Sequence, residues 1–198
     1  MRLYKLLTGV EYTSKVSDRE IKGISTNSRQ MHQGDLFVCI KGENSDGHNY
    51  AADALKQGAA ALVTERDLGL KNQILVPSSR AAYGILCANF FDNPAKKLKL
   101  IGVTGTNGKT TVSSLIKHVL TATGHKAGLI GTIHNEIGDM IIPAKYTTPD
   151  PFILQSMLAR MVEAGCAYAV MEVSSHGLAQ HRLAGCPFDT GIFTNLTQ

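Results

Sequence analysis

The chain contains no tryptophan and few other aromatics, 6% in all, so no aromatic stacking platform of the kind that grips single-stranded nucleic acid is in view. Its four cysteines, Cys39, Cys87, Cys166 and Cys186, form no CxxC pair and share no ligand-like spacing with histidine, which argues against a zinc site and against a disulfide framework. No apolar run approaches membrane-spanning length, and "MRLYKLLTGVEYTSKVSDRE" turns polar before a signal-peptide core develops. Charge of one sign is also lacking. The excess of four positive charges is scattered rather than run together, which suits a small anionic ligand better than a nucleic-acid arm. The expectation is a cytoplasmic, monomeric protein without membrane insertion and without a nucleic-acid partner.

What is present is a 198-residue chain with 43% hydrophobic and 18% charged residues, enough for one large domain or two small ones. Short apolar runs alternate with helical patterns throughout, the mark of an α/β fold with parallel strands and crossover helices. In the first half, strands are expected at 35–42, 60–65 and 73–79, and helices at 49–60 and 80–91. "DNPAKK" at 92–97 is polar and proline-containing, and divides the chain into domains 1–97 and 98–198. In the second, strands are expected at 98–103, 126–132, 167–173 and 189–196, a helix at 109–123 closed by Gly124, and a turn near Gly138. "TTPDPFILQSMLARMVEAG" reads as a helix with Thr148 as N-cap, Pro149 at its first position and Gly165 as its stop.

The densest signal is "LKLIGVTGTNGKTTVSSLIKHVL". A buried strand runs into a glycine-rich turn and then a helix, so that backbone N–H groups and the positive helix end crowd around an anion. In the loop formed by Gly105, Thr106, Asn107, Gly108, Lys109, Thr110 and Thr111, Lys109 would meet the β and γ phosphates and Thr110 would offer a hydroxyl to magnesium. The spacing is GxxGKT. The longer P-loop pattern asks for glycine at Val103, and Gly102 falls one residue early. Glu172 interrupts the apolar strand "AYAVMEV" near its carboxyl end, where α/β sheets place ligands, and an acid there can hold a phosphate-bridging magnesium. A surface glutamate or a structural ion pair is the plainer alternative. His176 and His181 lack a metal-ligand partner at suitable spacing and read as surface or satisfied residues, while Arg182 fits a phosphate clamp and an exposed helix position equally.

These motifs, in this order, resemble the Mur ligases, ATP-dependent amide-forming enzymes of peptidoglycan precursor synthesis. "GVTGTNGKTT" resembles the family's ATP loop, spacing included. "MEVSSHGLAQHR", "FTNLTQ" and, in the first half, "NSRQMHQGDLFVCIKGENSDGHNY" resemble the branch that extends UDP-N-acetylmuramoyl-L-alanyl-D-glutamate with a diamino acid, meso-diaminopimelate or lysine. The resemblance spans nearly the whole chain. It implies an N-terminal UDP-binding domain followed by the front part of a P-loop, mostly parallel-sheet ATPase domain. By position, Ser28, Glu43, Asn44 and Ser45 would contact the uridine diphosphate. Thr147, Thr148, Ser174, Gln180 and Arg182 would hold the muramoyl-dipeptide. Residues 105–111 would bind ATP, with Lys109 and Glu172 as catalytic residues and Thr110 and Glu172 on Mg2+. Two departures stand out: Asn27 replaces the family's usual Asp, and Tyr146 its usual Asn before the paired threonines. The family's carbamylated lysine and amino-acid-binding domain have no counterpart here, so this chain alone is expected to bind but not to complete ligation. A non-catalytic nucleotide-binding module and a folylpolyglutamate-synthetase-like ligase are the competing readings.

Overall fold

The computed structural model describes residues 1–43 and 45–197, and divides into two compact units, Met1–Phe90 and Phe91–Gln198. In the first, the short helix α1 (Leu3–Leu6) precedes β1 (Ile24–Ser25), β2 (Leu36–Val38), α2 (Ala51–Lys56), β3 (Ala61–Thr64), β4 (Gln73–Leu75) and α3 (Ser79–Phe90). The four strands pair in sequence order and all in parallel. Strands β2 and β3 are buried at every position, as strands covered on both faces must be. Phe37, Cys39 and Leu62 pack with Ala51 and Ala54 of α2. The small alanines let that helix lie close to the sheet. Asn89, buried at the end of α3, donates from Nδ2 to the carbonyls of Leu6 and Thr8 at 2.8 and 2.7 Å, satisfying the unpaired end of α1.

The second unit contains β5 (Lys99–Thr104), α4 (Lys109–Ala122), β6 (Ala127–Ile130), β7 (His134–Ile137), β8 (Met140–Pro143), α5 (Pro151–Glu163), β9 (Tyr168–Glu172), α6 (Ser175–Ala179) and β10 (Thr190–Phe193). Its sheet has the order β10-β5-β9-β6-β7-β8, parallel from β10 to β6, with the β7–β8 hairpin added antiparallel. Leu154, Leu158 and Met161 of α5 pack on one face with Leu100, Ala169 and Met171. On the other, Val112, Ile116 and Leu120 of α4 cover Val103, Leu129 and Val170.

Helix α5 starts two residues later than the sequence pattern implies. Asp150, not Thr148, is the N-cap: its carboxylate accepts from Phe152 N at 3.0 Å, and Pro151 takes the first helical position. Asp150 stands before a proline and is held extended, with φ −56° and ψ 146°, so the helix cannot begin earlier. Thr148 is thereby free for a different task. The sequence pattern also misses α1 and α6, which are four and five residues long, too short to show a helical period.

Candidate functional site

Strands β5, β9 and β6 are neighbours running in one direction, so the segments leaving their carboxyl ends meet at one edge of the sheet. Those segments are residues 105–108, 173–174 and 131–132. The register sets Val103 beside Glu172, which brings the carboxylate next to the loop that follows β5.

The loop depends on two left-handed glycines, Gly105 at φ +134° and Gly108 at φ +84°. A Cβ on Gly105 would collide with Thr194 Oγ1 and lie 2.8 Å from the Asn195 carbonyl. The residues after β10 explain this crowding. Asn195 accepts from Thr106 N with its carbonyl (2.9 Å) and from Asn107 N with Oδ1 (3.1 Å), while Thr194 Oγ1 donates to the Asn107 carbonyl at 2.7 Å. The loop is thus braced by a segment far away in sequence. Lys109, in the first turn of α4, folds back so that Nζ donates to the carbonyls of Gly105 (2.7 Å) and Thr106 (3.0 Å), closing the loop with its positive charge inside it.

Glu172 is only 1% exposed, and its carboxylate gathers three donors. Thr132 N–H reaches Oε1 at 2.9 Å, and Oε2 accepts from the hydroxyls of Thr132 (2.9 Å) and Thr110 (3.1 Å). A buried carboxylate needs such partners, because an unpaired one would be strongly destabilising. Gly131 makes the approach possible, since a Cβ there would stand 2.6 Å from Oε1. Thr110 and Glu172 therefore present hard oxygen donors side by side at the helix end, and Thr110, its proton directed at Glu172, keeps its lone pairs for a cation. That donor set fits magnesium, which takes one or two protein oxygens and completes its shell with phosphate and water. Among the described residues no group of three His, Cys, Asp or Glu could hold a metal ion by itself.

The neighbouring residues form a polar ledge. Thr147 Oγ1 is 3.0 Å from Thr132 Oγ1. Thr148 donates to the Glu172 carbonyl at 3.1 Å and accepts from Ser174 N and Ser174 Oγ at 3.0 and 3.1 Å. Ser174 Oγ also accepts from Gly177 N, capping α6. Arg182 donates from NH1 to the Thr148 carbonyl at 2.7 Å, and from Nε and NH2 to Gln180 Oε1 at 3.1 and 2.8 Å. Tyr146 is 53% exposed, with the Arg182 guanidinium 5.9 Å and Lys145 Nζ 5.5 Å from its ring centre. His176 and His181 are exposed; His181 adopts φ +55° at the end of the α6 turn. Thr111 opens outward from the first turn of α4.

In the first unit Ser28 lies in a turn after β1, half-buried, and Glu43 and Ser45 are exposed; Asn44 falls outside the described residues. Asn27 Oδ1 accepts from Arg29 N at 3.0 Å, a bond that an aspartate would make equally well. The 3₁₀ turn Gly47–Tyr50 that follows this region is fixed by Asp46, which accepts from His48 N (3.0 Å), meets His48 Nδ1 at 2.6 Å and pairs with Arg66 at 3.0 Å. His48 Nε2 in turn accepts from Glu65 N at 2.9 Å. Thr132 escaped the sequence reading, and Thr194 and Asn195 entered it only within the segment "FTNLTQ", without a role of their own. Threonine and asparagine at strand ends are too common to mark them.

A glycine loop between a parallel strand and a helix, with a buried carboxylate on the next strand, defines a P-loop, mostly parallel-sheet α/β unit. Comparison with known families agrees. The Mur ligase middle domain matches residues 103–198 and the Mur ligase family catalytic domain matches residues 20–91, and the chain belongs to the Mur ligase family. It is similar to the UDP-N-acetylmuramoyl-L-alanyl-D-glutamate–2,6-diaminopimelate ligases of Caldanaerobacter subterraneus, with 46% identity over all of this chain and 42% of the relative, and of Geobacillus kaustophilus, with 48% identity over 90% of this chain and 37% of the relative. A solved ligase of the same name shares 32% identity at a TM-score of 0.77, over 90% of this chain and 37% of the other. Acinetobacter baumannii MurF is more distant, at 25% identity and a TM-score of 0.56, over 87% of this chain and 35% of the other. The chain spans about two fifths of the length of the curated relatives it matches.

Proposed function

We propose that the chain forms the UDP-sugar-binding and phosphate-binding parts of an ATP-dependent ligase that joins a diamino acid to UDP-N-acetylmuramoyl-L-alanyl-D-glutamate. One observation carries this reading above the others: the Thr110–Glu172–Thr132 cluster stands between the glycine loop on one side and the Thr147–Thr148–Ser174–Arg182 ledge on the other. Phosphate and acceptor carboxylate can thus meet over one buried acid.

In the proposed chemistry an oxygen of the D-glutamyl carboxylate attacks the γ-phosphorus of ATP and the bond to the ADP oxygen breaks. The amine of the diamino acid then displaces phosphate to form the amide. Lys109, released from the Gly105 and Thr106 carbonyls, neutralises the phosphoryl oxygens, and the N–H groups at the start of α4 add their partial charge. Thr110 and Glu172 would hold Mg2+, which supplies charge neutralisation across the phosphates. Arg182 orients the dipeptide's carboxylate, and Tyr146 lies against the guanidinium and restricts its swing. Ser28, Glu43, Asn44 and Ser45 are proposed to contact the uridine diphosphate. The similarity to diaminopimelate-adding relatives favours that amino acid over lysine for the full activity. A cytoplasmic monomer is the setting we infer; no helix among the described residues is long and apolar enough to cross a membrane.

Calorimetric titration with UDP-N-acetylmuramoyl-L-alanyl-D-glutamate tests the reading. Binding that weakens at least tenfold in both Ser28→Ala and Arg182→Ala supports it, since each removes a different proposed contact. Absence of binding to the folded wild-type chain overturns it.

A further inference from the structure

The hydroxyls on the ledge each carry a single proton, and the hydrogen bonds determine where each goes. The Glu172 carboxylate accepts from Thr132 Oγ1 at 2.9 Å and has no proton to return, so the Thr132 proton is committed to it. The 3.0 Å bond between Thr132 and Thr147 must then be donated by Thr147. The same logic runs along the second branch. The Glu172 carbonyl can only accept, which commits the Thr148 proton to it at 3.1 Å; Ser174 Oγ, 3.1 Å from Thr148 Oγ1, must be the donor of that pair. Its remaining lone pairs serve Gly177 N at 3.0 Å and whatever stands before it. With the Thr110 hydroxyl, which also donates to the carboxylate, Glu172 therefore polarises five hydroxyls toward itself: Thr110, Thr132 and Thr147 through its carboxylate, Thr148 and Ser174 through its backbone carbonyl.

We infer that Thr147 and Ser174 face the bound ligand as hydrogen-bond acceptors only, that Thr147 reads an amide N–H of a peptidyl ligand, and that Thr132 is the positioning residue that imposes this polarity on Thr147. The inference rests on the proposed function and sharpens it. The ligand's carboxylate cannot dock on these hydroxyls, because two acceptors would face each other without a proton. It must be read by Arg182, whose NH1 and NH2 each retain one N–H beyond the bonds to the Thr148 carbonyl and Gln180. The ledge then divides the ligand: the amide backbone lies along Thr147 and Ser174, and the acid is turned toward the cations. A ligand with an ester in place of the amide meets a lone pair where it needs a donor, and binds more weakly.

The experiment compares calorimetric affinities for UDP-N-acetylmuramoyl-L-alanyl-D-glutamate and for two analogues, one with an ester at the lactyl–alanyl linkage and one with an ester at the alanyl–glutamyl linkage. Wild-type chain should bind one ester about tenfold more weakly than the parent. In Thr132→Val the Thr147 proton is released and can turn to the ester oxygen, so the same ratio should fall below about threefold, and Thr132→Ser should restore it. Equal wild-type binding of parent and both esters overturns the inference, as does a Thr132→Val ratio matching wild type. Failure of wild type to bind the parent at all removes the proposed function and this inference together, which sets that outcome apart from the other two.

Discussion

Gly131→Ala tests how much the buried acid depends on the backbone beside it. The added Cβ would sit 2.6 Å from Glu172 Oε1, whereas ordinary contact begins at 3.4 Å. The carboxylate must retreat by about 0.8 Å, stretching the 2.9 Å bond from Thr132 N–H to about 3.7 Å, outside hydrogen-bonding range. Hydrogen bonds to a charged group contribute about 1.5–3 kcal/mol, and at 1% exposure water cannot replace this one. Replacing glycine by alanine where φ is not left-handed returns about 0.4–1 kcal/mol through the unfolded chain. The net expectation is a loss of about 0.5–2.5 kcal/mol, or roughly 3–15 °C in the melting temperature of a unit of this size. Urea denaturation followed by circular dichroism measures it. A midpoint and slope equal to wild type would refute the reasoning, because the carboxylate would then have room that the geometry denies it.

Leu154→Ala removes a fully buried side chain from the face packed by α5, and should lower stability by about 2–5 kcal/mol in denaturant titration without changing the slope. Acid sensitivity has two identifiable sources. The His48 backbone N–H, with help from the His48 ring and Arg66, holds Asp46 well below the usual carboxylate range. Burial acts to raise Glu136, but its bonds to Lys117 and His134 outweigh that and lower it. Both folded-state pKa values lie below the unfolded ones, so their contribution is complete above about pH 4.5 and disappears as pH falls through the folded values. Asp46→Asn and Glu136→Gln should each flatten the decline in melting temperature between about pH 4.5 and 3, and an unchanged decline would contradict the assignment. Burial pushes the thiols of Cys39 and Cys186 up to about 12, so native protein at pH 8 should react slowly with a disulfide reagent at both. Unfolded protein should release all four thiols at once.

The parts of the site that came through in the sequence are those whose chemistry is local. The strand, glycine turn and helix around Lys109 announce themselves because hydrophobic period and glycine position change within a few residues. Glu172 is visible because a charge interrupts an apolar strand. What stayed hidden is non-local or unremarkable in composition. Asn195 braces Thr106 and Asn107 from far along the chain, a contact created by β10 pairing with β5. Thr132 matters because β6 and β9 are neighbours, which no pattern within either strand reveals. The misplaced start of α5 has a different cause: in "TTPDPF" two candidate caps each precede a proline. The choice fell to Asp150 because Thr148 is drawn away by the Glu172 carbonyl and Ser174.

In the proposed function the loop, Lys109 and Glu172 act together on a magnesium-bound triphosphate. Titration of the chain with ATP in the presence and absence of Mg2+, on wild type, Lys109→Ala and Glu172→Gln, tests that most directly. The predicted result is saturable binding that weakens at least tenfold on removing Mg2+, weakens at least as much in Lys109→Ala, and loses its dependence on Mg2+ in Glu172→Gln. Binding by Lys109→Ala as tight as wild type, or an undiminished magnesium effect in Glu172→Gln, would contradict it.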